Sequence, residues 1–330
     1  MNITGLDMEG KRVVVRLDMD VPVKDGRVMD ATRLDTEVPT LNYVADKATT
    51  VVILGHLGRP EGKVVEALSL KPVISELRVR LAKPEKYEFL ENLRFDPGEE
   101  ANDDDYVQSL SGLGDVYVNE AFATAHRNHA SIIGIPRYLP SVLGFQFVKE
   151  MMALDKVLTN PKRPVVLVMG GAKAETKWPL VNQLLPKVDM VLVGGKLAEE
   201  TQNAKLKIQN YSSKLKTAEL REDGLDITEE SAKEFSQIIS QAGTVVWNGP
   251  MGVFEKEESA EGTRIICQAI DQAKGYTVIG GGDTEAAATK FEAEKGIDHI
   301  SAGGGAMLTY LATGTLPAMD AIKKSPIGNR

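Results

Sequence analysis

Cysteine is nearly absent from this 330-residue chain. The one thiol, Cys267, rules out an internal disulfide and reads as a buried residue of the helical run 263–273. Without a disulfide framework, a cytoplasmic location is the expectation. Aromatic residues make up only 5% of the chain while hydrophobic residues make up 42%, a balance that suits an α/β protein rich in small aliphatics. No apolar run approaches the length that crosses a bilayer. Residues 1–11 are polar and lack a signal-peptide core, so no membrane partner is expected. Positive charge is also in deficit. The net charge of −8 argues against nucleic acid as the main partner. Any acidic ligand must then be held by a local basic cluster against the overall field. Tandem repeats and low-complexity tracts are lacking too.

Glycine is plentiful, and it stands at the ends of apolar runs. Val278-Ile279-Gly280-Gly281-Gly282-Asp283-Thr284 is followed by the helix-forming run 285–294. The same pattern occurs where 165–168 meets Gly170-Gly171, where 190–193 meets Gly194-Gly195, where 245–247 meets Asn248-Gly249, and where 299–301 meets Gly303-Gly304. Five such runs, each followed by a helical pattern, predict βαβ units on a parallel sheet. Ligands in such sheets bind beyond the carboxyl ends of the strands. Glycine lets the backbone approach a ligand closely, and a helix N-terminus favours phosphate. Asp283 is placed to contact a Mg²⁺ carried by that phosphate.

The first half carries strands at 12–17, 50–54, 87–90 and 116–118, with helical spacing from Arg33 to residue 46 and over 69–81. Asp25-Gly26 predicts a turn, and the acidic run 99–105 predicts a solvated loop or a helix start. Arg59, Arg94 and Arg127 each stand a few residues beyond a strand end, as do His56 and His126. Arg33 follows the first strand. These cations form a candidate site for a small, multiply charged anion, since the guanidinium fork matches carboxylate and phosphate. His126 and His129 fit either a structural or a site role, and His299 at a strand start reads as structural. A helix over 147–158, flanked by Pro140, Pro161 and Pro164, connects the two halves. A chain of this length suits two domains. The last segment, 316–330, is too short to be a domain and is expected to dock on one.

The runs 16–22, 55–60, 91–95, 118–127, 170–177, 247–255 and 280–284 together resemble phosphoglycerate kinase, in that family's order and over nearly the whole chain. The resemblance implies two Rossmann-like three-layer α/β/α domains with parallel sheets, joined by a hinge helix. Residues 1–150 would bind 3-phosphoglycerate, with the tail 316–330 docking back, and residues 151–315 would bind the nucleotide. It implies phosphoryl transfer from 1,3-bisphosphoglycerate to ADP with Mg²⁺, giving 3-phosphoglycerate and ATP, by a hinge-bending monomer. The substrate site would comprise Asp18, Asp20, Arg33, His56, Arg59, Arg94 and Arg127. The nucleotide site would comprise Lys173, Lys177, Gly194, Gly195, Asn248, Glu255, Gly281, Gly282, Asp283 and Thr284. Arg33 and Lys173 would stabilise the transferring phosphoryl, Glu255 would contact the ribose, and Asp283 the metal.

The chain departs from that pattern in places. It is abbreviated over 81–87, more so between Lys205 and Asp226, and 203–215 reads as a loop. Those losses leave a second reading, a catalytically impaired nucleotide- or anion-binding protein. Asp20 stands where the family usually has Asn. Trp178-Pro179 predicts a helix that begins late, with Lys177 shifted, because proline is tolerated only in a first helical turn.

Overall fold

In a computed structural model, the described residues are 3–172, 174–203 and 212–326. They divide into two compact units, Met1–Met152 with Thr315–Arg330, and Ala153–Gly314. Each unit is built on one parallel sheet.

In the first unit the strand order is Tyr87–Phe89, Thr50–Leu54, Arg12–Arg16, Val116–Asn119, Ser141–Leu143. The central pairings are parallel, with Val14 opposite Val52 on one side and Tyr117 on the other. The valine-rich strands are buried on both faces, as a parallel sheet requires. Side chains alternate across the pleat. Val13 and Val15 join one core with Leu34, Leu41, Val73 and Leu77, from the helices Thr32–Lys47 and Lys71–Arg78. Val14 joins the opposite core with Val107 and Leu110 from the helix Asp104–Ser111. The unit is therefore three-layered. Asp25 and Gly26 both take positive φ and close a small hairpin, Val23–Lys24 with Arg27–Val28, so the expected turn is present.

In the second unit the order is Leu215–Thr217, Met190–Val193, Val165–Met169, Thr244–Asn248, Tyr276–Gly280, His299–Ser301. Val166, Val168, Val245 and Trp247 pack against Phe235, Ile239, Ile266 and the buried Cys267. Leu167 and Val246 point the other way, toward Leu184 and Leu311. The helix Phe145–Leu158 runs from the end of the first unit into the start of the second.

Several expectations need correcting. Of the two readings of the acidic run, the helix start holds and the solvated loop does not. It lies on two short helices, Pro97–Ala101 and Asp104–Ser111, capped by Asp96 and Asp103, and Glu99 is fully buried. The helix after the first glycine turn of the second unit spans Ala174–Leu184, so it starts ahead of Lys177 and holds Pro179 inside. The edge strands Ser141–Leu143 and Leu215–Thr217 are only three residues long, too short to show a period. Of the loop expected at 203–215, residues 204–211 lie outside the described residues. The terminal segment forms the helix Pro317–Lys323, with Ala318, Met319 and Ile322 buried. The Ala318 amide donates to the Ala125 carbonyl at 3.1 Å, within the first unit.

Candidate functional site

Because all five strands of the first sheet run parallel, their carboxyl ends share one edge. The loops beyond that edge carry Asp18, Asp20, His56, Arg59, Arg94 and Arg127, and Arg33 stands in the first turn of the helix Thr32–Lys47. Arg33 Nη1 donates to Oδ2 of the buried Asp18 at 3.0 Å. Gly58 is held from both sides. Its amide donates to Asp20 Oδ1 at 2.9 Å, and its carbonyl accepts from Arg94 Nη1 at 2.8 Å. Gly58 has φ of +63°, and a Cβ there would lie 2.8 Å from the Leu68 side chain, so a side chain at this clamp would be strained. The adjoining Arg59 is exposed, as is Arg127. Two guanidinium groups thus face solvent at the edge where the others are tied down.

Three imidazoles stand among these arginines. Burial, then the charges of Arg16 and Arg94, hold His56 well below the usual imidazole range. Burial and Arg127 push His126 down to about 4, and burial with Arg94 and Arg16 pushes His129 down to about 3. All three are neutral near pH 7, so the positive charge of the site belongs to its arginines. Arg94 itself is lowered by burial and by Arg16, as expected of like charges crowded together.

Sequence reasoning missed what supports this edge. Arg16 reads as an interruption in an apolar run, yet it is fully buried. Its Nε donates to Ser131 Oγ at 2.9 Å and its Nη2 meets His56 Nδ1 at 3.0 Å. Ser131 in turn donates to the buried Glu99, from Oγ at 2.6 Å and from its amide at 3.0 Å. A buried arginine demands a buried acid. That rule announces a partner without saying where in the chain it stands. Glu37 and Glu120 form a second buried pair of acids. Glu37 Oε1 accepts from the Asp18 amide at 2.7 Å, and Glu120 accepts from the amides of Gln146 and Phe147 at the start of the helix Phe145–Leu158.

The second sheet likewise brings its strand ends together. Lys177 Nζ donates to the Gly170 carbonyl at 2.7 Å; the early helix start has not moved it away from the glycine loops. Lys173 lies outside the described residues. Gly249 has φ of +96°, and a Cβ on it would sit 2.3 Å from the Gly170 oxygen. A Cβ on Gly195 would sit 3.0 Å from the Gly171 nitrogen, and one on Gly194 2.5 Å from Met251 Sδ. Asn248 Nδ2 donates to the Gly280 carbonyl. Thr284 Oγ1 accepts from the Gly249 amide at 2.8 Å and donates to the Gly280 carbonyl at 3.0 Å. Asn248 and Thr284 thus fasten the glycine loops to one another. Gly281, with φ of +105°, precedes the helix Gly282–Lys290. The amides of Gly282 and Asp283, first in that helix, have no intrahelical acceptor and are suited to phosphate. Asp283 and Glu255 are both exposed.

Among the described residues, no group of three or more His, Cys, Asp or Glu is arranged to cage a metal. A lone exposed carboxylate at a helix start fits Mg²⁺ all the same, since that ion is commonly held by one or two carboxylates with phosphate oxygens and water.

Comparison with known proteins identifies the family. A family model described as phosphoglycerate kinase matches residues 3–88, 78–212 and 199–314. The phosphoglycerate kinase of Roseiflexus sp. (strain RS-1) is 38% identical over 387 aligned residues, covering 97% of this chain and 98% of the relative. That of Moorella thermoacetica is 37% identical over 391, covering 98% of each. The solved structure of phosphoglycerate kinase from Coxiella burnetii has a TM-score of 0.83 at 33% identity, covering 98% of this chain and 99% of that one. The enzyme from Pyrococcus horikoshii OT3 gives 0.83 at 28% identity, covering 98% of each. Alignments longer than the chain mean that relatives carry residues with no counterpart here. The family-model segments overlap at 78–88 and 199–212, beside the two regions that read as abbreviated.

Proposed function

We infer the roles of these residues from one premise: the chain belongs to the phosphoglycerate kinase family, phosphotransferases that move a phosphoryl group between 1,3-bisphosphoglycerate and ADP, giving 3-phosphoglycerate and ATP. The observation that carries the assignment of sites is the division of the motif residues. Arginines collect at the strand ends of the first unit, and glycine loops with Asp283 collect at those of the second.

In this reading Arg59, Arg94, Arg127 and His56 hold the 3-phosphoglycerate anion, and Asp18 aims Arg33. The nucleotide phosphates lie on the loops at Gly170, Gly194–Gly195, Gly249 and Gly281–Gly282, with Lys177 beside them, and Glu255 contacts the ribose. The nucleophile toward ATP is a carboxylate, and toward ADP a carboxylic–phosphoric anhydride is opened, so neither direction needs a base to remove a proton. Phosphoryl transfer then depends on positioning and charge neutralisation. Arg33 and Lys173 are assigned to the charge on the transferring phosphoryl. Asp283 would hold the Mg²⁺ that accompanies the nucleotide, and the ion would neutralise phosphate charge. Since donor and acceptor are held on different units, closure must join them and exclude water. A cytoplasmic monomer is the accompanying proposal. No helix among the described residues is long and apolar enough to cross a membrane.

The test is a coupled assay of ATP formation from 1,3-bisphosphoglycerate and ADP. Turnover that requires both substrates and Mg²⁺ is the expected result. Tight binding of both ligands without turnover would overturn it.

A further inference from the structure

We propose that Glu99 is a positioning residue which, through Ser131 and Arg16, fixes His56 in the tautomer that presents Nε2–H to the anion site. Its use in substrate binding rests on the reading above; the tautomer does not.

Arginine has donors and no acceptor. Arg16 Nη2 lies 3.0 Å from His56 Nδ1, so Nδ1 is the accepting nitrogen. A neutral ring that accepts at Nδ1 carries its proton on Nε2. The ring is neutral because it is buried beside Arg16. Nε2 is 3.8 Å from Asp20 Oδ2, beyond hydrogen-bond reach. The donor is therefore left for a ligand.

Arg16 stays in this pose because its other end is held. Ser131 Oγ gives its proton to Glu99 Oε1 at 2.6 Å, which leaves its lone pairs to accept from Arg16 Nε at 2.9 Å. Glu99 Oε2 takes the Ser131 amide at 3.0 Å. Both oxygens of Glu99 accept, which sets the direction of its bonds to Ser131; burial pushes the Glu99 carboxyl above the usual range, opposed by Arg16 and by the two bonds from Ser131. Glu99 also supplies a buried negative charge for the fully buried Arg16. His129 Nδ1, 3.8 Å from Glu99 Oε1, is a neutral ring and gives no competing cation.

Two-bond ¹⁵N–¹H spectra of ¹⁵N-histidine-labelled, ligand-free protein at pH 7 test this, with His56 assigned from the His56→Gln spectrum. The expected result is the Nε2–H tautomer in the wild type. Ser131→Ala should give a mixed tautomer and bind 3-phosphoglycerate about tenfold more weakly, the loss of one hydrogen bond to a charged group, with ADP affinity unchanged. Ser131→Thr, which keeps the hydroxyl, should restore both. An Nδ1–H or doubly protonated His56 in the wild type overturns the proposal. So does a Ser131→Ala variant that is folded by circular dichroism and keeps the wild-type tautomer. If Ser131→Ala unfolds, Glu99→Gln is read by the same spectra with the same criteria. A shifted tautomer with unaltered 3-phosphoglycerate affinity leaves the relay standing and overturns the assignment of the anion site instead.

Discussion

Asp20 illustrates what one residue can and cannot announce. An acid at this position either repels an acidic substrate or pairs with a nearby arginine. Arg33 instead pairs with Asp18, and Asp20 accepts from the Gly58 amide while its side chain remains 45% exposed. Asn can accept the same bond through its amide oxygen, so Asp20→Asn removes a charge and keeps the loop. The expected outcome is tighter 3-phosphoglycerate binding by roughly 1 kcal/mol, a several-fold change. Isothermal titration of both proteins checks it, and weaker binding in the variant would refute the repulsion. The buried acids could not be read from sequence, because burial is a property of the fold. Glu37 occupies a polar-looking helix position yet is only 2% exposed. Burial first, then Asp18 and Glu120, hold it well above the usual carboxylate range, against the Asp18 amide and Arg33. The unfolded chain ionises at the ordinary value, so folding favours the protonated form. The stability this contributes is present at low pH and is lost as pH rises through the raised pKa. Glu37→Gln stays neutral and keeps an acceptor for the Asp18 amide. Its melting temperature should therefore gain on the wild type as pH goes from about 5 to about 8; a constant difference would mean that Glu37 does not titrate there.

Elements with a long, regular signal were legible, and those shaped by tertiary context were not. The strands Arg12–Arg16, Thr50–Leu54 and Tyr276–Gly280 fall where valine-rich runs end in glycine or acid. The edge strands Ser141–Leu143 and Leu215–Thr217 offered only three residues each, and the acidic run was legible as a helix start but not as the two short helices at 97–111. The helix Ala174–Leu184 shows context overriding propensity. Pro179 lacks the amide that would bond the Glu175 carbonyl, yet the helix continues through it. Trp178 is buried and Val181 fully so, and their packing holds the turn together. An interior proline costs about 3 kcal/mol in a helix, and its rigidity returns up to about 1 kcal/mol through the unfolded chain. Pro179→Ala should accordingly stabilise the protein by about 2 kcal/mol in urea unfolding. A loss of stability would show that the helix needs a bend at Pro179. Lys177 stands two residues before it, so ADP affinity measured on the same variant reports whether that bend also aims the lysine.

For the molecule as a whole, the sequence made the separation of two charge environments visible. Glycine at strand ends and arginine past strand ends can both be read from spacing, because parallel strands send all such loops to one edge. The network that holds the arginines was not visible, since Glu99 and Ser131 are far from Arg16 in the chain. The separation leads to a double prediction on residues whose loss should cost the fold little. Arg59 and Asp283 are both exposed, each on a loop or helix start already held by other groups. Arg59→Ala should weaken 3-phosphoglycerate about tenfold or more, the scale of a lost hydrogen bond between charged groups, and leave ADP binding nearly unchanged. Asp283→Asn should do the reverse: it should weaken Mg·ADP and depress turnover with Mg·ATP, and leave 3-phosphoglycerate binding alone. Neither variant should cost more stability than the few tenths of a kcal/mol typical of surface substitutions. Calorimetric titration of each ligand into each variant gives four numbers, and only the diagonal pattern agrees with sites on separate units. Equal weakening of both ligands by Arg59→Ala would place the anion and the nucleotide on one unit. Full turnover in Asp283→Asn would reduce that carboxylate to a helix-terminus charge, worth less than 1 kcal/mol to an exposed helix and nothing to the chemistry.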